Sequence, residues 1–328
     1  MVSVQFTVDG QPVGAPDTSS PYALAWNSAT VANGSHDVRA VARDAAGNTQ
    51  TSSARTINVS NTTDAQLAAR AVPGDLNGDR IPDLVFQHDN GQLHSWFMSG
   101  ESMTGNSAIT PNAVNPIWQV VGLDDFNLDN KSDMLWQHRE TGQLHVWTMN
   151  GTSMTGTEEL GAATSDWRVE ATGDLNGDGS TDIVWQHPVT GAVKLWLMNG
   201  KTLTVEAGLS GPKGSLTWRV AGSGDFNRDG RLDILFRHTG TGALTVSFMS
   251  SDGRTVSSDV ALSPGAASTD WLVKSVADFN KDGHVDVVWQ HASSGQLYVW
   301  YLNDTRMVRG SYLNPGSVRP EWRIVGGK

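Results

Sequence analysis

The chain of 328 residues contains no cysteine. This absence excludes a disulfide framework, metal sites built on thiolates and a cysteine nucleophile. Long apolar runs are missing as well, and without a run of about eighteen apolar residues the sequence predicts no membrane span. Residues 1–6 lack the basic and apolar regions of a signal peptide.

The residue combinations that mark an active site are also missing. The sequence offers no single Ser-His-Asp or Cys-His arrangement, no glycine-rich phosphate loop and no His-rich metal triad. Because a catalytic site is usually a unique constellation in a chain, we expect no enzymatic activity.

Positive charge is scarce. The 23 Lys and Arg residues stand against 34 Asp and Glu residues, which gives a formal net charge of −11. Acidic proteins are poor partners for nucleic acid, so we expect no nucleic-acid binding. Fifteen of the 34 acidic residues lie in five short loops. One divalent cation in each loop would offset almost all of the excess, which therefore indicates a metal requirement.

A nine-residue segment of the form Asp-x-Asn-x-Asp-x-x-x-Asp recurs five times along the chain. The copies start 50, 49, 51 and 53 residues apart, at 75–83, 125–133, 174–182, 225–233 and 278–286. A short apolar segment and a glycine turn follow each copy. Four of the copies have a Trp seven residues before the first Asp, namely Trp118, Trp167, Trp218 and Trp271.

Units of about 50 residues with four short strands each are typical of β-propeller blades. Residues 321–326 repeat the opening strand of a unit, with Trp322 in the position of the recurring Trp. We predict that this strand completes the first blade and closes a five-bladed ring of four-stranded blades, since closure removes exposed sheet edges. The alternatives are a fragment of a longer propeller and a β-sandwich.

The fold class is therefore all-β, with a different region before the repeats. Residues 1–60 alternate apolar and polar positions between turns, as in Val4-Gln-Phe-Thr-Val-Asp-Gly10 and Val41-Ala-Arg-Asp-Ala-Ala-Gly-Asn48. They resemble the C-terminal part of a bacterial immunoglobulin-like domain, a small β-sandwich piece. Residues 61–67 are polar and predict a linker, and residues 68–328 form the propeller.

The chemistry of the loops favours calcium. Calcium takes six to eight oxygen ligands, and each loop offers side-chain oxygens at positions 1, 3, 5 and 9 and a backbone carbonyl at position 7. Magnesium demands tighter geometry, and an EF-hand would need helices and a Glu at position 12. The predicted ligands are Asp75, Asn77, Asp79, Ile81, Asp83, Asp125, Asn127, Asp129, Lys131, Asp133, Asp174, Asn176, Asp178, Ser180, Asp182, Asp225, Asn227, Asp229, Arg231, Asp233, Asp278, Asn280, Asp282, His284 and Asp286.

Position 6 of each loop needs a residue that tolerates a positive φ. Gly179, Gly230 and Gly283 meet this need best, Asn130 is next, and Arg80 is the poorest choice. We therefore predict calcium in the loops that begin at Asp174, Asp225 and Asp278, and the weakest site in the first loop.

With these motifs, residues 68–328 resemble FG-GAP or VCBS repeats, the units of integrin α-subunit propellers and of many bacterial secreted proteins. The resemblance implies up to five calcium ions that brace the blades. It also implies an extracellular setting, secreted or on the cell surface, in a bacterium.

Recurring aromatic and polar residues are the candidates for ligand binding. The candidates are Trp96, Trp147, Trp196 and Trp300, with Ser247 at this position in the fourth unit, and the pairs Gln137-His138, Gln186-His187 and Gln290-His291. Tryptophan can stack on sugar rings, and the polar pairs can bind hydroxyl groups. The alternative interpretation is that the Trp residues form the core between blades and that the His residues bind turn backbone.

These features lead to three hypotheses of function. The first is a non-catalytic, lectin-like module that binds carbohydrate or a cell-surface glycan. The second is an adhesion module that binds a protein ligand through loops 206–217 and 252–270. The third is an accessory or catalytic propeller of a polysaccharide-degrading enzyme.

Overall fold

A computed structural model describes residues 2–24, 26, 28–31, 34–59, 70–209 and 216–328. The chain divides into two compact units, Met1–Ala69 and Arg70–Lys328. Among the described residues the regular structure is β-strand, apart from one 3-10 turn at Ser28–Thr30. None of these residues forms a helix long and apolar enough to cross a membrane. The predicted linker at 61–67 lies outside the described residues.

The first unit forms an antiparallel sheet with the strand order β2-β1-β3-β4, in which β5 also pairs with β3. Its strands are β1 (Ser3–Val8), β2 (Gln11–Asp17), β3 (Gly34–Arg43), β4 (Thr49–Thr51) and β5 (Arg55–Val59). The predicted turn after β1 contains Asp9 and Gly10, both with a positive φ. Val4, Val8 and Val59 are buried, so alternate positions of the strands form the apolar face that the sequence pattern predicts.

The second unit consists of five four-stranded antiparallel sheets, which are called blades one to five. Blade one contains β6 (Leu84–His88), β7 (Gln92–Ser99), β8 (Ser102–Ala113) and the C-terminal strand β25 (Trp322–Val325). Blade two contains β9 (Trp118–Asp124), β10 (Asp133–His138), β11 (Gln143–Asn150) and β12 (Ser153–Ala162). Blade three contains β13 (Arg168–Gly173), β14 (Asp182–Gln186), β15 (Val193–Asn199) and β16 (Thr202–Gly208).

Blades four and five repeat the same order. Blade four contains β17 (Trp218–Gly224), β18 (Asp233–His238), β19 (Ala243–Met249) and β20 (Val256–Ala266). Blade five contains β21 (Trp271–Ala277), β22 (Asp286–His291), β23 (Gln296–Asn303) and β24 (Arg306–Ser317). The range 252–270, which the sequence suggested as a variable loop, is therefore largely strand β20, and residues 210–215 of the other suggested loop lie outside the described part of the chain.

Burial explains why the second strand of each blade is a short apolar run. In β10, Met134, Leu135 and Trp136 are all buried, because the neighbouring blades cover both faces of the strand. The outermost strands differ, since β12 is mostly exposed and carries polar residues. The core of the propeller therefore lies between blades, at the inner and second strands, as the sequence pattern predicts.

The ring closes through the C-terminal strand. β25 pairs with β6, with Trp322 opposite His88, and the inner strands contact one another in the cyclic order β25, β9, β13, β17, β21 and again β25. The outermost strands of blades one and five meet where Asn314 pairs with Ser102. The sequence-based prediction that residues 321–326 complete the first blade is confirmed.

A polar cluster links blades five and one at the rim of the ring. Glu101 accepts hydrogen bonds from the Tyr301 hydroxyl at 2.8 Å and from both Nη atoms of Arg309 at 3.1 and 2.9 Å. The bonds from Arg309 and Tyr301 lower the pKa of Glu101 to about 2. The carboxylate therefore stays ionised at neutral pH and holds the two blades together.

Candidate functional site

The five acidic loops precede the second strand of each blade, and each curls around its first Asp. In the third loop, the two carboxylate oxygens of Asp174 accept the backbone N–H groups of Gly177 at 2.7 Å and Gly179 at 2.8 Å. The first Asp of every other loop likewise accepts the N–H of position 6, at 2.7–2.9 Å. The loops thus share one conformation, although their sequences differ at positions 2, 4, 6, 7 and 8.

Positions 3 and 5 continue this pattern. The Asn176 Oδ1 atom accepts the N–H of Asp178 at 2.9 Å, and Asn176 Nδ2 donates to Asp178 Oδ2 at 2.9 Å. Asp178 Oδ1 in turn accepts the N–H of Ser180 at 2.8 Å. The same three contacts occur in the other four loops. Side-chain oxygens at positions 1, 3 and 5 are therefore gathered along one turn of chain.

The ninth residue of each loop is a buried Asp. Asp182 accepts the N–H groups of Leu175 at 2.9 Å and Met198 at 2.8 Å, so it joins its loop to the third strand of the blade. Burial raises the pKa of Asp182 to about 8, and the charges of Asp178 and Asp174 add to the rise. Burial likewise raises the pKa of the ninth Asp elsewhere, to about 7 for Asp83, Asp233 and Asp286 and to about 6 for Asp133.

The chemistry of these donors fits a hard divalent cation. Each loop offers carboxylate and amide oxygens at the spacing that calcium uses. The pKa of the ninth Asp is raised mainly by burial, and the charges of the other two carboxylates of the loop add to the rise. Within the described residues, however, no group of three or more His, Asp or Glu side chains is placed so that it could hold a metal ion. The ninth Asp directs both oxygens at backbone amides instead. Calcium in the loops is therefore taken up below as a proposal.

Two positions of each loop have a left-handed backbone. At position 6, Arg80 has φ 65° and Asn130 has φ 65°, and both adopt the conformation that glycine adopts in the other three loops. Arg80 thus takes the required conformation despite its side chain, and the hydrogen bonds of the first loop match those of the others. Position 4 also has a positive φ, which the sequence reasoning missed. Gly78 and Gly177 are the signal for it, and Leu128, Arg228 and Lys281 adopt it without glycine.

A guanidinium group contacts the third loop. Arg70 Nη1 lies 2.9 Å from Asp174 Oδ2, the first Asp of that loop. A cation in this loop would have to share Asp174 with Arg70. Arg70 therefore competes with a cation for Asp174. The predicted order of calcium affinity among the loops stays a prediction.

The recurring His residues bind turn backbone. The Nδ1 atom of His138 accepts the N–H groups of Glu140 at 3.3 Å and Thr141 at 3.2 Å, and its ring meets Trp118 edge to face at 4.9 Å. His88, His187, His238 and His291 make the same kind of bond. These histidines terminate the second strand of each blade and orient the recurring Trp.

The recurring Gln residues connect neighbouring blades. Gln137 donates from Nε2 to the carbonyl of Trp167 at 2.8 Å and accepts the N–H of Val169 at Oε1 at 3.2 Å. Gln87, Gln186 and Gln290 make the equivalent pair of bonds to the inner strand of the next blade. In blade four, Arg237 replaces the Gln and donates to the Trp271 carbonyl. Since both polar ends of the amides are engaged, the ligand hypothesis below uses the aromatic residues alone.

Replacement of Gln137 by Leu is expected to destabilise the propeller by about 2–4 kcal/mol, because a carbonyl and an N–H of the next blade lose their partner in a buried place. Urea denaturation of the two proteins measures this difference. Gln92→Leu is the matched control, since Gln92 is exposed on β7. Equal stabilities for Gln137→Leu and the unmodified protein would refute the proposed role of the Gln.

The Trp residues of the third strands pair with the aromatic residue of the second strand. Trp147 lies 4.6 Å from Trp136, Trp196 lies 4.8 Å from Trp185, and Trp300 lies 4.8 Å from Trp289, as measured between ring centroids. Trp96 pairs in the same way with Phe86 at 4.7 Å. Trp196 is buried, whereas the other three third-strand Trp residues keep a partly exposed edge. All four Trp residues pack in the core, and Trp96, Trp147 and Trp300 are also partly exposed at the surface.

One of these pairs borders an apolar pocket, called the aromatic pocket. Its lining residues are Val114, Trp118, Trp136, His145 and Trp147, and its volume is about 240 Å³. Val114 follows the last strand of blade one, whereas the other four residues belong to blade two. The pocket therefore lies in the groove between two blades, and it includes Trp147, one of the candidate residues of the sequence analysis.

Blade one also has a histidine, His94, at the position of His145, whereas blades three, four and five carry different residues there. In blade three the ammonium of Lys194 lies 4.7 Å from the ring centroid of Trp167 and fills the corresponding space. In blade five Tyr298 packs on Tyr312 at 4.9 Å. In blade four Ser247 replaces the Trp and bonds to Asp259 at 2.5 Å. Blade one has Phe86 in place of Trp136, so the combination of Trp136, His145 and Trp147 occurs in blade two alone.

Comparison with known families gives two matches. The profile of the FG-GAP-like repeat matches residues 125–185, 174–236 and 225–289, which together span half of the chain. The profile of a bacterial Ig domain matches residues 1–40. No curated protein matches the chain.

Solved structures give only distant likenesses. The Tc holotoxin pore of Photorhabdus luminescens is 16% identical, with 79% of this chain and 12% of the toxin chain aligned and a TM-score of 0.39. A nidogen/laminin complex is 11% identical over 74% of this chain and 96% of the other, with a TM-score of 0.40. An auxiliary nutrient binding protein from Bacteroides ovatus is 13% identical over 94% and 78%, with a TM-score of 0.41. This chain spans about an eighth of the toxin chain, and none of these scores carries an argument about function.

Proposed function

Since this chain belongs to the family of FG-GAP-like repeat proteins, we propose that its β-propeller is a non-catalytic binding module that calcium stabilises and that binds carbohydrate outside the cell. The bacterial Ig domain match at residues 1–40 supports an extracellular setting. In this proposal the acidic loops brace the blades, and the ligand binds elsewhere.

The aromatic pocket carries the proposal for the ligand. Its walls expose the rings of Trp118 and Trp147 beside His145, and the C–H faces of a sugar ring pack favourably on such rings. The volume of about 240 Å³ lies near the lower end of small-molecule pockets, which suits a single sugar residue rather than a long chain.

One lining residue, Trp136, carries a hydrogen-bond donor without a partner in the described part of the chain. The indole Nε1 of Trp136 is buried and has no partner among the described residues. A buried donor without a partner costs about 1–3 kcal/mol, and a sugar hydroxyl oxygen would satisfy it. Trp185 and Trp289 share this feature, but Lys194 and Tyr298 occupy the space beside them, so we assign the site to blade two.

Calcium would be held by the oxygens at positions 1, 3, 5, 7 and 9 of each loop. Bound there, the ion supplies charge compensation and a rigid link between the inner and second strands of a blade. The first Asp and the ninth Asp would then contribute their charge to the ion as well as their bonds to the backbone. The loop residues of this chain otherwise only orient the two strands.

Replacement of Trp147 by Ala is expected to weaken saccharide binding by at least about tenfold, because it removes one wall of the pocket. A glycan array identifies the saccharide, and titration calorimetry with calcium present measures the affinity. Trp300→Ala is the matched control, since Trp300 has the same position in blade five, where Tyr298, packed on Tyr312, replaces His145. Thermal melting of both variants separates loss of binding from loss of fold.

Three outcomes would contradict the proposal. The array shows no saccharide binding, Trp147→Ala binds as well as the unmodified protein, or the two Trp variants lose binding equally. A pull-down of a protein ligand without any glycan binding would favour the adhesion hypothesis. Turnover of uronic-acid polymers would favour a polysaccharide-degrading enzyme.

A further inference from the structure

The inner strands of the five blades surround a central channel that carries basic side chains. The residue directly after the recurring Trp is Arg168 in β13, Arg219 in β17 and Arg323 in β25. In β21 the basic residue is Lys274, which lies three residues after the recurring Trp271. These side chains share the end of the channel that lies opposite the acidic loops, since each inner strand runs from its Trp towards a loop.

Two adjoining cavities occupy the channel. One has a volume of about 290 Å³ and the other of about 270 Å³, and Lys274 and Lys328 line both. Their linings together contain six cationic side chains, Arg168, Arg219, Arg237, Lys274, Arg323 and Lys328, and one carboxylate, Glu170. The lining is therefore strongly positive, although the chain as a whole has a net charge of −11.

Five of the six cations already have hydrogen-bond or ion-pair partners. Lys328 Nζ lies 3.3 Å from Glu170, and Arg323 lies 2.7 Å from Asp89 at the rim of the channel. Arg168 donates to backbone carbonyls, with Nη2 at 3.0 Å from the carbonyl of Arg139. Glu170 is thus the single carboxylate of the lining, and Lys328 already uses it.

Arg219 donates to the carbonyl of Pro188 and Arg237 to the carbonyls of Trp271 and Ser268, but among the described residues neither guanidinium has an acidic partner. Among the described residues, the ammonium of Lys274 has no hydrogen-bond or ion-pair partner. Arg219 Nη1 and Arg237 Nε are buried without a hydrogen-bond partner. All three side chains line the cavity of about 270 Å³, whose lining contains no acidic residue.

The environment of Lys274 shows the effect of this arrangement. The pKa of Lys274 is lowered to about 8, mainly by burial and also by the charges of Lys328 and Arg323, which outweigh the opposite effect of Glu170. A cation that is buried without a partner lowers the stability of the fold. Strongly perturbed groups of this kind in a cleft are candidates for binding sites.

We propose that the central channel binds a small molecule through an oxyanion group, a carboxylate, sulfate or phosphate, which contacts Lys274. The ammonium supplies a point charge, and Arg219 and Arg237 add positive potential in a cavity with low-dielectric walls, which concentrates the field. The cavity sizes fit a molecule about as large as a monosaccharide. This site shares no residue with the aromatic pocket, so it does not depend on the proposal made for that pocket.

The far end of the channel favours a small ligand over a polymer. The carbonyl of Gly327 accepts the N–H of Val276 at 2.8 Å, and the carbonyl of Lys328 accepts the N–H of Thr172 at 3.2 Å. Residues 326–328 therefore cross the channel between β21 and β13, close to the acidic loops. A ligand enters from the end that carries the arginines and stops at this crossing segment.

Titration calorimetry of the full chain with calcium present tests the proposal. The probes are inorganic sulfate, inorganic phosphate and galacturonate, with galactose as the uncharged counterpart of galacturonate. We expect at least one of the three anions to bind, with an affinity that falls as sodium chloride is raised. Lys274→Met is expected to reduce that affinity at least tenfold, and Arg219→Gln to reduce it as well.

Two control variants make the result specific. Lys201→Met removes the same charge from the turn between β15 and β16, where Lys201 pairs with Glu158, and is expected to bind the anion like the unmodified protein. Trp147→Ala is expected to lose saccharide binding in the aromatic pocket and keep anion binding in the channel. Failure of either binding proposal is thereby distinguishable from failure of the other.

The proposal is overturned if none of the three anions binds, or if Lys274→Met and Arg219→Gln bind the anion as the unmodified protein does. It is also overturned if Lys201→Met weakens binding as much as Lys274→Met. The melting temperature of each variant is measured in parallel. Lys274→Met removes an uncompensated charge, so we expect it to remain folded.

Discussion

Removal of calcium by a chelator is expected to lower the melting temperature of the propeller by about 20 °C. A ligand that binds only the folded state stabilises it by about 1.4 kcal/mol at ten times its dissociation constant. Five loops would then contribute about 7 kcal/mol. For a unit of this size each kcal/mol corresponds to about 2–4 °C. Differential scanning calorimetry with excess calcium and with chelator measures the shift.

Magnesium at the same concentration is the control, and it should restore little of the lost stability because it demands octahedral geometry. Asp182→Asn tests a single loop, since it keeps the shape of the side chain and removes one charge. We expect this variant to lose part of the response to calcium and retain the rest. If the chelator does not change the melting temperature, calcium does not stabilise the propeller.

Replacement of Ile324 by Asp is expected to destabilise the propeller by at least about 4 kcal/mol. Ile324 is 2% exposed and packs with residues of blades one and five, including Phe86 and Val288. A carboxylate there would be buried without a partner. The reason the effect is large is that β25 is the strand that closes the ring, so its loss opens the contact between blades one and five.

Val308→Asp is the matched control, because Val308 is 59% exposed on the outer strand of blade five. Its effect should stay within about 0.5 kcal/mol. Urea denaturation gives both values, and the position of the transition in limited proteolysis reports whether blade one opens first. If the two variants are equally stable, the closing strand contributes little to the fold.

The architecture could be predicted because it depends on a local pattern that repeats. The Asp loop, the apolar strand and the glycine turn lie within one unit, so their spacing shows the blade directly. The role of the Gln residues could not be predicted from one unit, since their partners lie in the next blade. The nearly constant spacing between each Gln and the next recurring Trp was a signal of this contact, with 31 residues from Gln87 to Trp118 and 30 from Gln137 to Trp167.

The candidate sites were harder to predict because they depend on residues that differ between blades. Residues that recur in every blade mostly serve the fold, as the paired Trp residues and the His residues at the turns show. The features that distinguish one blade from another mark the candidate sites, such as His145 in blade two where blade three has Lys194. In the basic channel, Arg168, Arg219 and Arg323 share the position after the recurring Trp, whereas Lys274 and Lys328 are single positions, and spacing along the chain does not reveal that these two meet the arginines.

The pairing of β25 with β6 has a consequence for biosynthesis. The ribosome delivers β6, β7 and β8 of blade one early and its inner strand β25 only after the strands of blades two to five. Until then, β6 presents an unpaired edge, which is a site for wrong pairing with other chains. Before β25 is synthesised, blades two to four are already complete. The nascent chain therefore contains complete blades together with an incomplete blade one. Interrupted synthesis would therefore leave aggregation-prone fragments, even when most blades have formed.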